Sequence, residues 1–446
     1  MRHRLFVLWF AAFCGLCALP AAALSPQQWQ TDLAAAEAAI QAIHPDLAHS
    51  TDAAQLQRRL RELRRQLDRP LDRDQGWRLL ATLNPLLADA HFCVCYDDWR
   101  GDAKAHLAAG RGLFPFEVDV SVDGDVVIRS TLSGGATPLR GARIRSIDGV
   151  DARELSRGLL ARMHGDTASF RAGLLSRRWP FYFWKLYGER AHFDLSLEAD
   201  PAARLRVPSA RQWQALDSGE SFAAEFSLEL LPGRAAVLRL GSFAWPDKAQ
   251  LLAFTADAFR RIREAGVETL IIDVRDNGGG NDDQWIDGVL PYIADKPYRW
   301  ASGYRKKIIA KYRKDGETLG AVVDGTVENW IQPQADHPLR FQGRTYVLVG
   351  RATYSSAVVF ANVMQDFGFA TLAGPAGLVR ARQSGGVQSV ALPHSGLVLA
   401  VPRFILQRPA GSAGAGMVTP DLVLQDDPLQ PRAVIGQLLQ SAAAAP

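Results

Sequence analysis

The stretch VETLIIDVRDNGGG, residues 267–280, decides how the rest of the chain is read. Its first half is an apolar run of strand length without polar alternation. Such a run suits a strand buried on both faces, as in a parallel sheet covered by helices. Its second half runs into glycines, which leave backbone N–H groups unscreened by side chains. Those groups can face an anion, either a phosphate or a developing oxyanion. A tight turn at a strand end is the plainer use of the same residues. The run lacks the G-x-G-x-x-G order, and no Gly-Lys-Ser/Thr follows it, so it is neither a dinucleotide fingerprint nor a phosphate loop.

Outward from this stretch, strand and helix signals alternate. AAVLRLGSF (235–243) reads as a strand, and KAQLLAFTADAFRRIREAG (248–266) as an amphipathic helix ending at Gly266. TYVLVG (345–350), AVVFANVMQDFG (357–368) and FATLAG (369–374) repeat strand, helix and strand. This pattern predicts an α/β core with a mainly parallel sheet. The region before it differs. GRGLFPFEVDVSVDGDVVIRS (110–130) alternates like strands around a VDGD hairpin turn, and GARIRSIDGVDA, DLSLEA and RLRVPS add further short strands. Residues 25–88 show apolar positions three and four apart, with Ser25 or Thr51 as candidate caps.

Two further segments are ambiguous. RWPFYFWKLYG (178–188) is either a groove for an apolar chain or a buried helix face. YRKKIIAKYRKDGE (304–317) is either a solvated surface element or a lid over the site.

The bulk properties narrow the class. At 446 residues the chain is too long for one ordinary domain. Its net charge of +4 gives no ground for a nucleic-acid partner. MRHR, the apolar LFVLWFAAFCGLCAL and the small-residue PAAALS predict a signal peptide over 1–23, hence a periplasmic or otherwise exported protein; a retained anchor is the alternative. No other stretch approaches the length of a membrane span. After leader removal only Cys93 and Cys95 remain, too close for an unstrained disulfide and too few for zinc. No metal and no cofactor are expected.

GRATYSSAVVF (350–360) places two serines at a strand-to-helix turn. A serine there can be a nucleophile, with helix N–H groups beside it for the oxyanion, or it can be an N-cap.

Taken in order, DAHF (89–92), LRGARIRSIDGV (139–150), LIIDVRDNGGG (270–280), TYVLVGRATYSSAVVFANVMQDFG (345–368), LPHSGLVLAVP (392–402) and VTPDLVL (418–424) resemble the tail-specific, or carboxyl-terminal processing, serine peptidases. The branch resembled is that of the tricorn core and the interphotoreceptor retinoid-binding protein repeats. The resemblance implies a helical N-terminal domain (25–108), a PDZ-like domain (110–208) and a crotonase-like peptidase core (222–440). It implies Ser355 as nucleophile and His91 as general base, with the N–H groups of Gly279 and Ser356 forming the oxyanion hole. The substrate implied is a peptide or protein, bound near its C-terminus.

Two departures from the family pattern matter. The lysine of the serine–lysine branch is replaced by Arg380, and no lysine follows Lys314. Arginine stays protonated and cannot be a base, whereas histidine titrates near neutrality. The late glutamate of the tricorn-like branch is also missing, since no glutamate follows Glu328. Three explanations stand: His91 works without a carboxylate, Asp89 orients it, or the chain is a degenerate member that binds a peptide or lipid. Asp421 reads as structural.

Overall fold

The computed structural model describes residues 23–217, 221–334, 336–411 and 416–444. Residues 1–22 of the expected signal peptide lie outside the described residues. The chain is mixed α/β with a helical N-terminal region.

The core is built around the opening stretch. Thr269–Asp273 is a strand with every residue buried, and it lies between two parallel neighbours, Ala235–Leu240 and Arg344–Leu348. Thr371–Gly374 and Leu422–Val423 continue the sheet in parallel. Only Phe226–Leu231, at the opposite edge, is antiparallel. Side chains alternate across the sheet, as a strand requires. Leu270 and Ile272 face the large central core, whereas Ile271 packs with Tyr346, Leu424, Val434 and Leu438 under the C-terminal helix Ala433–Ala444. The helix Ser356–Asp366 is buried from Ser356 to Met364, because it is apolar on every side.

An antiparallel sheet precedes this core. Its strand order is Phe116–Val120, Val126–Thr131, Arg143–Ile147, His192–Leu197 and Asp200–Pro208, and the short strand Val150–Asp151 pairs with Arg143–Ile147. The long helix Ala168–Tyr187 packs against it. The aromatic segment belongs to this helix. Trp179, Phe181, Tyr182 and Phe183 are buried, so it is a core face and no apolar groove.

The N-terminal region holds helices Pro26–Ile43, Ala53–Gln66 and Arg73–Leu80. Ser25 caps the first through a capping box with Gln28. The second is capped by Asp52 and not by Thr51, whose hydroxyl donates to the Leu87 carbonyl at 3.1 Å. Buried Asp32 accepts N–H bonds from His394 and Ser395, both 2.9 Å, and so fixes this region to the hairpin of Gln388–Ala391 and Val398–Val401. The basic run supplies a second tie. Gly303–Lys307 is a strand in which Arg305 pairs with Asp46 and Lys307 donates to the Gln41 carbonyl. The first part of the run is thus tied to the N-terminal region, whereas residues 310–316 are exposed, as a solvated surface element would be. These ties bring the His91 segment onto the core, and Cys93–Cys95 pairs with Val398–Val401.

Candidate active site

The D-x-R-x-N-x-G-G pattern folds into one turn, and each member has a physical task. Asp273 accepts from the Arg275 backbone N–H at 3.0 Å and also holds its guanidinium. Asn277, fully buried, donates to the Leu240 carbonyl at 3.0 Å and accepts the Gly279 N–H at 2.8 Å. Gly279 (φ 102°) and Gly280 (φ 141°) have backbones that side-chain-bearing residues rarely adopt. A Cβ on Gly279 would lie 2.6 Å from Ser355 Cβ and 2.9 Å from Ser356 N. Glycine is thus required because the turn touches the serine loop.

Ser355 has φ 54° and ψ −126°, at the junction between strand Arg344–Leu348 and helix Ser356–Asp366. Among non-glycine residues this is a strained backbone, at a cost of order 1–3 kcal/mol. The Ser355 side chain makes no capping hydrogen bond. Its N–H donates to Gln383 Oε1 at 2.9 Å. Ser356 is different in kind. It is 3 % exposed, receives Trp285 Nε1–H at 2.9 Å and donates to Asp282. Burial raises the Asp282 pKa, against the pull of the Ser356 and Trp285 bonds. Among the described residues the Ser356 N–H has no intrachain acceptor.

His91 lies on the other wall. Its ring sits 4.9 Å from that of Tyr354, the residue before Ser355, and its Nδ1 shares a 3.0 Å hydrogen bond with Ser384 Oγ. No hydrogen bond joins His91 to Ser355 among the described residues. The two meet through neighbours, since Ser384 follows the Gln383 that holds the Ser355 N–H. Burial lowers the His91 pKa, and the Asp89 carboxylate and Ser384 work against that fall.

Asp89 does not reach the imidazole by a hydrogen bond. Its carboxylate accepts the His91 backbone N–H at 2.8 Å and the Tyr354 hydroxyl at 3.1 Å. Burial pushes its pKa up, but the His91 charge and the Ser384 hydroxyl outweigh burial and hold it below the ordinary value. Tyr354 also donates to Asp166 at 2.8 Å. One phenol has one proton for two carboxylates, and Asp166, buried beside Asp89, is raised to about 6. The Arg380 backbone N–H donates to Asp166 at 2.9 Å, and its guanidinium reaches the Ala88 carbonyl. Asp421 lies elsewhere. It accepts from Gln365 and from the Leu372 N–H, each at 2.8 Å, which is a structural task.

Of the four expected site residues, Gly279, Ser355 and Ser356 converge in direct contact, with His91 one residue removed. The Gly279 N–H differs from expectation. It donates to Asn277 Oδ1 at 2.8 Å, a partner the sequence did not suggest. Sequence reasoning missed Gln383, Ser384, Tyr354 and Asp166. Their contacts join positions 28 to 293 residues apart, and no local pattern marks them. Cys93 and Cys95 are free thiols, and no cluster of metal-ligating side chains occurs among the described residues.

Solved structures of similar architecture exist. An alanine mutant of CPAF aligns with a TM-score of 0.65 at 14 % identity, covering 94 % of this chain and 96 % of that one. Mature CPAF complexed with lactacystin aligns at 0.62 and 15 % identity, covering 94 % and 97 %. The photosystem II D1 C-terminal processing protease aligns more loosely, at 0.44 and 18 % identity, covering 94 % and 98 %. At such identities the likeness speaks of the fold alone. The sequence match is more specific: residues 234–424 fit the profile described as Peptidase family S41. That segment contains the glycine turn, both serines, Gln383 and Ser384, and the match supports peptidase family S41, the tail-specific protease family.

Proposed function

We propose that the protein is an exported serine endopeptidase that cleaves peptide bonds through an acyl-enzyme. The observation that carries this reading is the backbone of Ser355. A non-glycine residue at positive φ, between a buried strand and a buried helix and with an uncapped hydroxyl, has the geometry of an exposed nucleophile.

In the proposed reaction Ser355 Oγ attacks the scissile carbonyl carbon. His91 Nε2 takes the hydroxyl proton and returns it to the leaving amine. With the imidazole proton on Nδ1 and Ser384 Oγ accepting it, Nε2 is left as the base. Ser384, backed by Asp89, stands in place of the missing glutamate. The Ser356 N–H stabilises the oxyanion, and a water then hydrolyses the acyl-enzyme. Substrate must draw His91 toward Ser355, because catalytic hydrogen bonds often tighten only in the complex.

The six-stranded core is read as crotonase-like over 222–440, and the antiparallel sheet as PDZ-like over 110–208, after a helical domain over 25–108. The strand Asp200–Pro208 is an almost wholly exposed edge, which suits addition of a substrate strand near its C-terminus. Export rests on the order of charged, apolar and small residues over 1–24. N-terminal sequencing of protein from the cell envelope should begin close to Leu24, and an intact Met1 in the cytoplasm would refute it.

A second reading is a binding protein without turnover. It is favoured by the Nδ1 of His91 meeting a hydroxyl instead of a carboxylate, and by the Gly279 N–H held on Asn277. A fluorophosphonate probe separates the two readings. Labelling of the wild type that is lost in Ser355→Ala supports the peptidase. An unlabelled wild type that still binds peptide supports the binder.

A further inference from the structure

We infer that the cleft beside the glycine turn recognises an acidic side chain of the peptide substrate through Arg177 and Arg129. The inference rests on the peptidase reading for the identity of the ligand. The cleft is a cavity of about 820 Å³ that ends at Gly278, one residue from the contact of Gly279 with Ser355. Arg100, Arg129, Arg177 and Arg178 line it.

Three acids also line the cleft; each has a hydrogen-bond or ion-pair partner of its own, while Glu117 also acts electrostatically on Arg129 and Asp276 on Arg177. Glu117 accepts the Trp213 indole N–H at 2.6 Å, and burial raises its pKa. Asp217 pairs with Lys104 at 3.1 Å, and Asp276 with Arg239 at 3.5 Å. Arg129 and Arg177 have no carboxylate within ion-pair distance among the described residues.

The position of Arg177 has a backbone cause. The helix Ala168–Tyr187 leaves helical geometry at Arg178 (φ −126°, ψ 15°), two residues before Pro180. Proline cannot donate to the carbonyl four residues back, and its ring crowds that turn. The break falls where Arg177 and Arg178 meet the cleft. Arg178 lies 4.9 Å from the Trp99 ring. Arg177 is half-buried close to Arg178, Asp276, Arg351 and Arg100; desolvation and the three like charges lower its pKa to about 10, against the pull of the Asp276 carboxylate. Arg351 is satisfied by Asp119. Arg177 and Arg129 also line an adjoining cavity of about 140 Å³, whose acids Asp119, Asp426 and Asp276 pair with Arg351, Arg275 and Arg239. A desolvated guanidinium among like charges is unfavourable until an anion joins it. A carboxylate fits best, since its two oxygens match the planar fork. Trp99 and Trp213, with ring centroids 5.6 Å apart, offer apolar walls for the methylenes of a glutamate.

Binding to the full-length Ser355→Ala protein tests this without cleavage. Fluorescein-labelled peptides with amidated ends carry one Glu, walked through a neutral sequence, and Gln at the same position serves as control. Fluorescence anisotropy should show Glu binding about tenfold tighter than Gln at one position or two. The advantage should shrink with salt and vanish in Arg177→Gln and in Arg129→Gln. If Arg177→Gln melts early, Arg129→Gln, on a strand of the antiparallel sheet, decides. Equal affinity for Glu and Gln at every position overturns the inference, as does a Glu advantage that both variants keep, or no binding of any peptide. A wild type that cleaves nothing while the Glu preference holds refutes the peptidase reading alone. Cleavage without a charge preference refutes this inference alone.

Discussion

Adjacent in sequence, Ser355 and Ser356 have opposite fates, and substitution should separate them. Ser355 holds a strained backbone and, among the described residues, no capping side-chain hydrogen bond. Ser355→Ala should remove turnover and probe labelling, on the order of 10⁶ in kcat for a triad nucleophile. Ser355→Gly should be equally inactive yet more stable than wild type by about 1 kcal/mol in urea denaturation. Relief of positive φ gives roughly 1–3 kcal/mol, and the flexibility of unfolded glycine returns part of it. A Ser355→Gly protein less stable than wild type would contradict the strain. Ser356→Ala keeps its N–H but strands buried Asp282 and Trp285. It should cost about 1–3 kcal/mol of stability and retain most activity. His91 also has a pH signature. Its pKa is lowered by burial, so the neutral base persists below the ordinary histidine value. The acid limb of kcat/KM should therefore lie below about pH 6.5. Ser384→Ala should lower kcat and move that limb, and Ser384→Thr should restore it. A limb unmoved by Ser384→Ala would remove Ser384 from the orientation of His91.

Two elements meet at the site, the turn after strand Thr269–Asp273 and the turn before helix Ser356–Asp366. Neighbouring parallel strands bring them together, with Asp273 opposite Leu348. Ligand sites in open α/β sheets lie at this carboxyl end of the strands. The contact is tight enough that Gly279→Ala places a methyl against Ser355 Cβ, the Tyr354 carbonyl and Ser356 N, all at or below 2.9 Å. The residue also has φ 102°. The variant should lose about 1–3 kcal/mol or more of stability, and labelling of Ser355 should fall with it. Full labelling at wild-type stability would mean that the turn and the serine loop do not touch.

Over the whole molecule, buried histidines set the response to acid. Burial lowers His44 to about 4 and His164 to about 3. Each stays neutral in the folded state while the unfolded chain takes up a proton near pH 6.5, so stability is lost as pH falls through and below that value. Asp166 acts in the other direction. It is raised to about 6 and adds stability as pH falls toward its unfolded value near 4. His49, His91 and His106 act with these histidines, and Glu117, Glu225 and Asp282 with Asp166. Where the histidines prevail, urea denaturation at pH 4.5 should show a lower stability than at pH 7. A stability that rises on acidification would mean that these histidines are solvated or that Asp166 dominates.

Local chemistry determined much of this protein before any tertiary contact is considered. The apolar run before DNGGG, the alternation of strand and helix and the Ser25 capping box follow from short-range pattern, since burial and backbone preference act over a few residues. The serine pair and the glycines could be read for the same reason. Each sits at an element boundary, where Ser355, Gly279 and Gly280 have a backbone few residue types tolerate. What only the tertiary structure decided is how separate boundaries share one space. Thr51 versus Asp52 as the cap turned on a carbonyl at Leu87. The start of the basic run, up to Lys307, is a strand tied down by Asp46 and the Gln41 carbonyl. Ser384 became the partner of His91, and Asn277 the holder of the Gly279 N–H, through hydrogen bonds whose direction no spacing encodes. Arg177 and Arg129 have no ion-pair partner among the described residues for the same reason: charge balance within a cleft is set by segments that fold together from distant parts of the chain.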